Sequence, residues 1–182
     1  MPDSLVIMRR WGAIAAWHGL RLVADVCHSL GTEYDGKKVG ALTDCTVFSF
    51  HPVKHITTGE GGMVVTDNPD LAACMSRFRN HGISTDHLQR EAIGTWQYEM
   101  VKLGYNYRIT DFQCALGLSQ FLQIPIFLER RRQIASLYND AFSVSKTIRS
   151  IIVRPEMSAG HLYAVCLQGG VSRSLSDFRQ NN

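Results

Sequence analysis

Long hydrophobic runs are missing from this sequence: no apolar stretch approaches the ~18 residues that a membrane span requires. Charge of one sign is equally thin, with 19 Lys and Arg against 16 Asp and Glu. The single basic run, "ERRRQ", falls in a helical stretch and reads as a solvated face rather than a nucleic-acid patch. The five cysteines, Cys27, Cys45, Cys74, Cys114 and Cys166, form no CxxC pair and no zinc-finger spacing. They are expected as small core residues in a reducing, cytoplasmic compartment. Arg9 and Arg10 precede an apolar piece, but His18 interrupts it and a strand follows, so this reads as a helix rather than a signal peptide. There is no internal repeat and no low-complexity tract. What is present, 45% apolar and 19% charged residues over 182 positions, predicts a globular, soluble chain. That length suits one domain, or a domain and part of another.

The pattern along the chain is α/β. Ile7, Trp11, Ile14 and Ala15 recur at helical spacing, and Gly19 follows as a C-cap. "LRLVAD", "CTVFSF" and "GGMVVTD" read as strands, separated by a turn-rich "GTEYDGKKVGALTD" whose glycines break any regular element. Asn68-Pro69-Asp70 is a helix start, with the helix stopping near Gly82. The polar and aromatic stretch "STDHLQREAIGTWQYEMVKLGYNYR" reads as a loop. Thr110 and Gln113 fit a capping box that opens the next helix. Pro125 interrupts, and "FLERRRQIASLYNDAF" is then a long amphipathic helix with Phe127, Ile134, Leu137 and Phe142 expected in the core. "TIRSIIVRP" and "HLYAVCLQ" look like strands of a different sheet, so a domain boundary is expected near residue 125.

The chemistry concentrates in "SFHPVKHITTGEGG". Lys54 stands where a buried strand runs out into a Gly-rich loop. A lysine is costly to bury unless its charge is paired or its pKa falls, and a desolvated lysine is the residue that condenses with carbonyl compounds. An ordinary surface lysine at a strand end is the competing reading. A pyridoxal phosphate (PLP) site needs an amine, an acid for the pyridine nitrogen, phosphate donors and a partner for the ring hydroxyl. Asp25 ends the strand "RLVAD", where open α/β sheets place ligand-binding groups, although a turn aspartate fits equally. His28 could meet the ring oxygen or simply pack, and Ser49 could donate to a phosphate. His51 and His55 stand four apart, but Pro52 lies between them and no HExxH glutamate is present, which argues against a metal site. "TTGEGG" is neither a Walker loop nor a dinucleotide fingerprint; its glycines are read as letting the backbone turn sharply beside the lysine.

Taken in order, "ADVCHSLG", "TVFSFHPVKHITTGEGGMVVTDN", "RFRNHGI", "LGYNYRITDFQCALGLSQ" and "SAGHLY" resemble the DegT/DnrJ/StrS-type PLP-dependent sugar-nucleotide aminotransferases, over about residues 11 to 168. The "FHPVKHITTGEGG" version is most similar to a branch that works in pseudaminic acid formation. The resemblance implies a partial PLP-dependent transferase of the aspartate-aminotransferase fold (fold type I). Residues 1–124 would be the C-terminal part of the PLP-binding large domain, and 125–182 an interdomain helix and incomplete small domain. Lys54 would be the Schiff-base lysine, Asp25 the partner of the pyridine nitrogen, His28 the contact to the ring oxygen and Ser49 a phosphate ligand. Asn106 in "GYNYR" would reach the phosphate of the cofactor in the other subunit, implying a homodimer with shared sites.

The implied activity is transfer of an amino group from an amino acid, with glutamate as the expected donor, to a UDP-linked 4-keto-6-deoxy sugar in nucleotide-sugar and surface polysaccharide biosynthesis. Relatives with histidine in place of the lysine are dehydratases, so Lys54 favours transamination. Family members carry a long segment ahead of the position of Met1 and a longer small domain, so a truncated sequence is expected here. The usual "AWHLY" reads "AGHLY", with Gly160. Two alternatives stay open: a non-catalytic relative that dimerises or regulates, and a PLP aminotransferase acting on another substrate.

Overall fold

A computed structural model describes residues 4–34, 36–85, 87–151 and 158–168. Helix α1 (Ser4–Trp17) opens the chain. Its end has the Schellman pattern, with Leu20 N–H donating to Ala15 O at 2.8 Å and Gly19 N–H to Ala16 O at 3.3 Å. Gly19 takes the left-handed conformation (φ 62°) that this stop requires, as its sequence position suggests. The side chain of Ile7, expected on the apolar face, lies outside the description.

Three strands form the main sheet: β1 (Val23–Asp25), β4 (Cys45–Ser49) and β5 (Gly62–Val65), in the order β1-β4-β5. β1 and β4 run parallel, with Asp25 opposite Val47; β4 and β5 run antiparallel, with Ser49 opposite Gly62. β4 is central, and alternate residues Thr46 and Phe48 are buried, the period-2 pattern of a strand. Thr46 is fully buried and meets Thr43 Oγ1 at 3.0 Å and Gly40 O at 3.3 Å, so its hydroxyl is satisfied. Between β1 and β4 the chain forms a two-stranded hairpin, β2 (Glu33–Tyr34) with β3 (Lys37–Lys38), and a 3-10 turn at Val39–Ala41. The sequence reading allowed no regular element there. Two-residue strands are too short to leave a periodicity.

Helix α2 (Pro69–Phe78) starts as its sequence demands: Asn68 Oδ1 accepts from Leu71 N–H at 3.0 Å, and Pro69 occupies the first turn. It ends at Arg79, and Gly82 N–H closes the stop on Arg77 O. The following segment contains a short helix, α3 (His87–Ile93), where a loop was expected. α4 (Asp111–Phe121) carries the full capping box of Thr110 and Gln113. α5 (Ile124–Ser143) contains Pro125 in its first turn, so the proline starts this helix instead of lying before it.

The core joins β4, the loop after it, α5 and the C-terminal piece: Phe48, Phe50, Ile56, Ile124, Leu128 and Ala159 pack together. Burying a side chain such as Phe48 or Leu128 contributes roughly 1.5–3 kcal/mol. The buried face of α5 differs from the expected one. Ile124, Leu128 and Ala135 are buried, while Ile134 and Leu137 are exposed and Phe127 is at the exposed limit. The cysteines also depart from expectation: Cys27, Cys45 and Cys166 are half-buried, Cys74 and Cys114 exposed, and all five are free thiols. β6 (Ile148–Ser150) pairs antiparallel with β7 (Val165–Leu167) as a separate sheet. Residues 152–155 of the first expected strand lie outside the description. Among the described residues no helix is long and apolar enough to cross a membrane.

Candidate active site

Parallel pairing of β1 and β4 brings their carboxyl ends side by side, the place where open α/β sheets leave a crevice for ligands. Asp25 is the last residue of β1 and Ser49 the last of β4. A cavity of about 450 Å³ opens there, lined by Asp25, Cys27, His28, Ser29, Ser49 and Lys54. Four of the five residues singled out from sequence therefore share one cavity.

Asp25 is also a turn former. Its Oδ1 accepts from Cys27 N–H at 3.0 Å, an Asx turn that bends the chain out of β1 and presents His28 to the cavity. Hydrogen bonding from the Cys27 side chain and backbone holds the Asp25 carboxyl below its usual range, and positive charge on His28 and Lys54 acts in the same direction. The Cys27 Sγ also lies 3.8 Å from Val47 O. One thiol hydrogen cannot serve both acceptors, so the backbone bond at 3.0 Å is the firmer of the contacts that fix the carboxylate. The consequence is a carboxylate kept ionised beside an amine. Burial and the Asp25 carboxylate push the Cys27 thiol up, away from the reactive thiolate.

Lys54 is half-buried in the loop after β4. Its backbone N–H donates to His51 O at 2.9 Å, and Ser49 Oγ accepts from His51 N–H at 3.3 Å, leaving the serine hydrogen for a ligand. The loop is built rigidly. Phe50 O accepts from Thr57 Oγ1 at 2.9 Å and from Thr58 N–H at 3.1 Å. Gly59 turns the chain at φ 83°, the sharp bend expected of "TTGEGG". α4 clamps the same loop from outside: Gln120 Oε1 accepts from Thr57 N–H at 2.8 Å, and Gln113 Nε2 donates to Glu60 O at 2.9 Å. Gly117 lets α4 approach, since a side-chain carbon there would lie 2.9 Å from Thr58 Cγ2.

The two histidines flanking Lys54 have different environments. His51 is exposed, with Nε2 3.8 Å from Glu60 Oε1. His55 is buried, and its Nε2 meets Ala159 O at 3.2 Å. Burial, with the positive charge of Arg131 and His161, lowers the His55 pKa to about 4, so an uncharged ring stands next to Lys54. Among the described residues no cluster of three or more His, Cys, Asp or Glu gathers in a metal-binding arrangement.

Asn106 is not brought to this cavity. It is exposed, bridges to Asn80, and its Oδ1 accepts from Arg108 Nε at 3.4 Å. The sequence reading also passed over residues that the cavity uses. Cys27 and Ser29 line it, and their signal was adjacency to Asp25 within "ADVCHSLG". His161 packs its ring against His28, with centroids 4.2 Å apart; its position in "SAGHLY" was the available cue.

An amine, an ionised carboxylate, a hydroxyl and an imidazole around one cavity match the aldehyde, pyridine nitrogen, phosphate and ring hydroxyl of PLP, so the residues present fit that group. Fold and site together define part of a fold type I PLP-dependent transferase, an α/β class. The chain belongs to the DegT/DnrJ/EryC1/StrS aminotransferase family, whose profile matches residues 4–178. PLP is the cofactor of that family. The UDP-4-amino-4,6-dideoxy-N-acetyl-beta-L-altrosamine transaminase of Campylobacter jejuni subsp. jejuni serotype O:23/36 (strain 81-176) is 41% identical over 155 residues, covering 85% of this chain and 39% of the relative. Helicobacter pylori PseC, an aminotransferase involved in the biosynthesis of pseudoaminic acid, superposes with TM-score 0.73 at 35% identity, over 86% of this chain and 40% of that one. Spr1654 from Streptococcus pneumoniae, in its PMP form, gives TM-score 0.73 at 33% identity, over 82% and 39%. The chain thus spans about 40% of the length of the relatives it matches.

Proposed function

We propose that this chain takes part in PLP-dependent transamination of a UDP-linked 4-keto-6-deoxy sugar, with an amino acid such as glutamate as donor, in cytoplasmic nucleotide-sugar biosynthesis. The observation that carries this reading is the shared cavity at the ends of β1 and β4, where Lys54 and Asp25 meet with Ser49 and His28. PLP, when bound, supplies an aldehyde that accepts an amino group and a ring that stabilises negative charge on the carbon losing a proton. Lys54 Nζ is the amine that would hold the PLP aldehyde, and it is the base that would move a proton at the reacting carbon. The Asp25 carboxylate, held ionised by its lowered pKa, would keep the pyridine nitrogen protonated. The Ser49 hydroxyl donates to the phosphate, and the His28 ring meets the ring oxygen.

Asn106, exposed and outside the cavity lining, is assigned to the cavity of a second copy, making the working unit a homodimer. Residues 1–124 are the C-terminal part of the large domain, which carries the site, and 125–182 an interdomain helix and incomplete small domain. The test is amino transfer from glutamate in the presence of PLP, comparing a UDP-4-keto-6-deoxy sugar with simple 2-oxo acids as acceptors. Preferential formation of the amino sugar is expected. Transfer to 2-oxo acids alone, or no transfer with either acceptor, overturns the proposal.

A further inference from the structure

The segment Ser158–Tyr163 is anchored at several points around His161. Ala159 is buried in the core, and its carbonyl meets His55 Nε2 at 3.2 Å. The Gly160 carbonyl accepts from Arg131 Nη1 at 3.1 Å, and the Tyr163 hydroxyl donates to Asn139 Oδ1 at 2.7 Å. Between these anchors the His161 ring lies 4.2 Å from that of His28, tilted by 41°, and 5.1 Å from that of His55. His161 Nδ1 is buried and has no hydrogen-bond partner among the described residues. A polar ring placed this firmly, with one nitrogen unused, serves as a packing surface. The ring that rests on it is His28, whose own side chain is exposed at the cavity wall.

We propose that His161 is a positioning residue of the cofactor cavity: packed against His28 with the two rings tilted, it sets the orientation of that ring and ties the segment Ser158–Tyr163 to PLP binding. The proposal rests on reading the cavity as the PLP site. His161 does not touch the cavity and acts through His28. Its surroundings require an uncharged ring. His28 faces it from the loop after β1, Lys54 and His55 from the loop after β4, and Arg131 from α5, with Asp25 the acid of the same cavity. Burial first, then positive charge on His28, Lys54 and Arg131, depresses the His161 pKa. At neutral pH the ring that His161 presents to His28 is therefore uncharged.

The test uses the whole chain and the variants His161→Ala and His161→Phe, with thermal unfolding to confirm that each is folded. Without cofactor, the imidazole C–H signals of His28 are followed by NMR. They should move in His161→Ala, which removes the neighbouring ring, and lie closer to the parent positions in His161→Phe. With PLP added, dissociation constants are measured by cofactor absorbance. His161→Ala should bind about fivefold more weakly, within the range an aromatic stack commands, and His161→Phe within about twofold of the parent. Unchanged His28 signals in His161→Ala overturn the ring contact. A PLP affinity that does not follow the His28 signals across the two variants overturns the positioning role. Should the parent chain bind no PLP while the His28 signals still move, the PLP reading fails and with it the role in cofactor binding, leaving only the ring contact.

Discussion

His55 offers a sharp quantitative test, because a buried imidazole without an acid beside it must resist protonation. Its ring is 5% exposed, bonded at Nε2 to Ala159 O, and its Nδ1 has no partner among the described residues. Burial, then the charges of Arg131 and His161, takes the pKa from the ordinary 6.5 to about 4. In the unfolded chain the ring recovers its ordinary value, so between these pH values the unfolded state binds more protons. Stability therefore rises with pH across this window, and falls as the solution is acidified from about 6.5 towards 4. At about 1.4 kcal/mol per pH unit, the loss attributable to His55 over the whole window is about 3 kcal/mol. The variant His55→Gln removes the titration and keeps an amide donor for Ala159 O. Urea unfolding of parent and variant at pH 7 and at pH 4 gives two stability differences, in which shared carboxylate titrations cancel. The parent's advantage over the variant should shrink by about 2–3 kcal/mol between the two pH values. An advantage constant to within about 0.5 kcal/mol would refute the account of a buried, uncharged ring beside Lys54.

Three further outcomes are expected. Asn68→Ala removes the oxygen that caps α2 and should lower stability by about 1 kcal/mol in chemical unfolding, with cofactor binding unchanged. Gly82→Ala should prevent native folding, judged by loss of the near-UV circular dichroism signal, because Gly82 adopts φ 69° and a methyl there runs into the Lys102 carbonyl. Asp25→Asn should keep the turn onto Cys27 N–H yet weaken PLP binding by about tenfold in an absorbance titration, what one charge-assisted hydrogen bond typically commands.

The parts of this fold that the sequence made legible are those governed by local chemistry. Asn68 and Thr110 announce helix starts because a short polar side chain reaches its own backbone two or three residues on. β4 is legible because burial on alternate residues leaves a period of two. α5 is legible as a helix, but its buried face is not. Ile126, Phe127, Ile134, Leu137 and Tyr138 are apolar or aromatic on its outer sides as well. Only the positions of Phe48, Ile56 and Ala159 decide that Ile124 and Leu128 turn inward. A proline reads equally as a breaker or as a first-turn residue, and Pro125 is the latter.

The candidate site divides along the same line. Asp25 and Lys54 are legible because each stands at or beyond a strand end, whereas Ser49 is marked by its place five residues before Lys54 and by the family resemblance. Their convergence depends on parallel pairing of β1 with β4, which no spacing along the chain encodes. The contact of His161 with His28 is a tertiary event between distant segments and left no local pattern. Asn106 faces solvent within one chain, so its expected role requires a second copy and has no signature in a single protomer.

The most direct test of the central claim is to add PLP to the chain, reduce with borohydride, and locate the attached pyridoxyl group by peptide mass spectrometry. A pyridoxyl group on Lys54, absent from Lys54→Ala, is predicted. Labelling spread over surface lysines, with Lys54 unmodified, would contradict the assignment of this cavity to the cofactor.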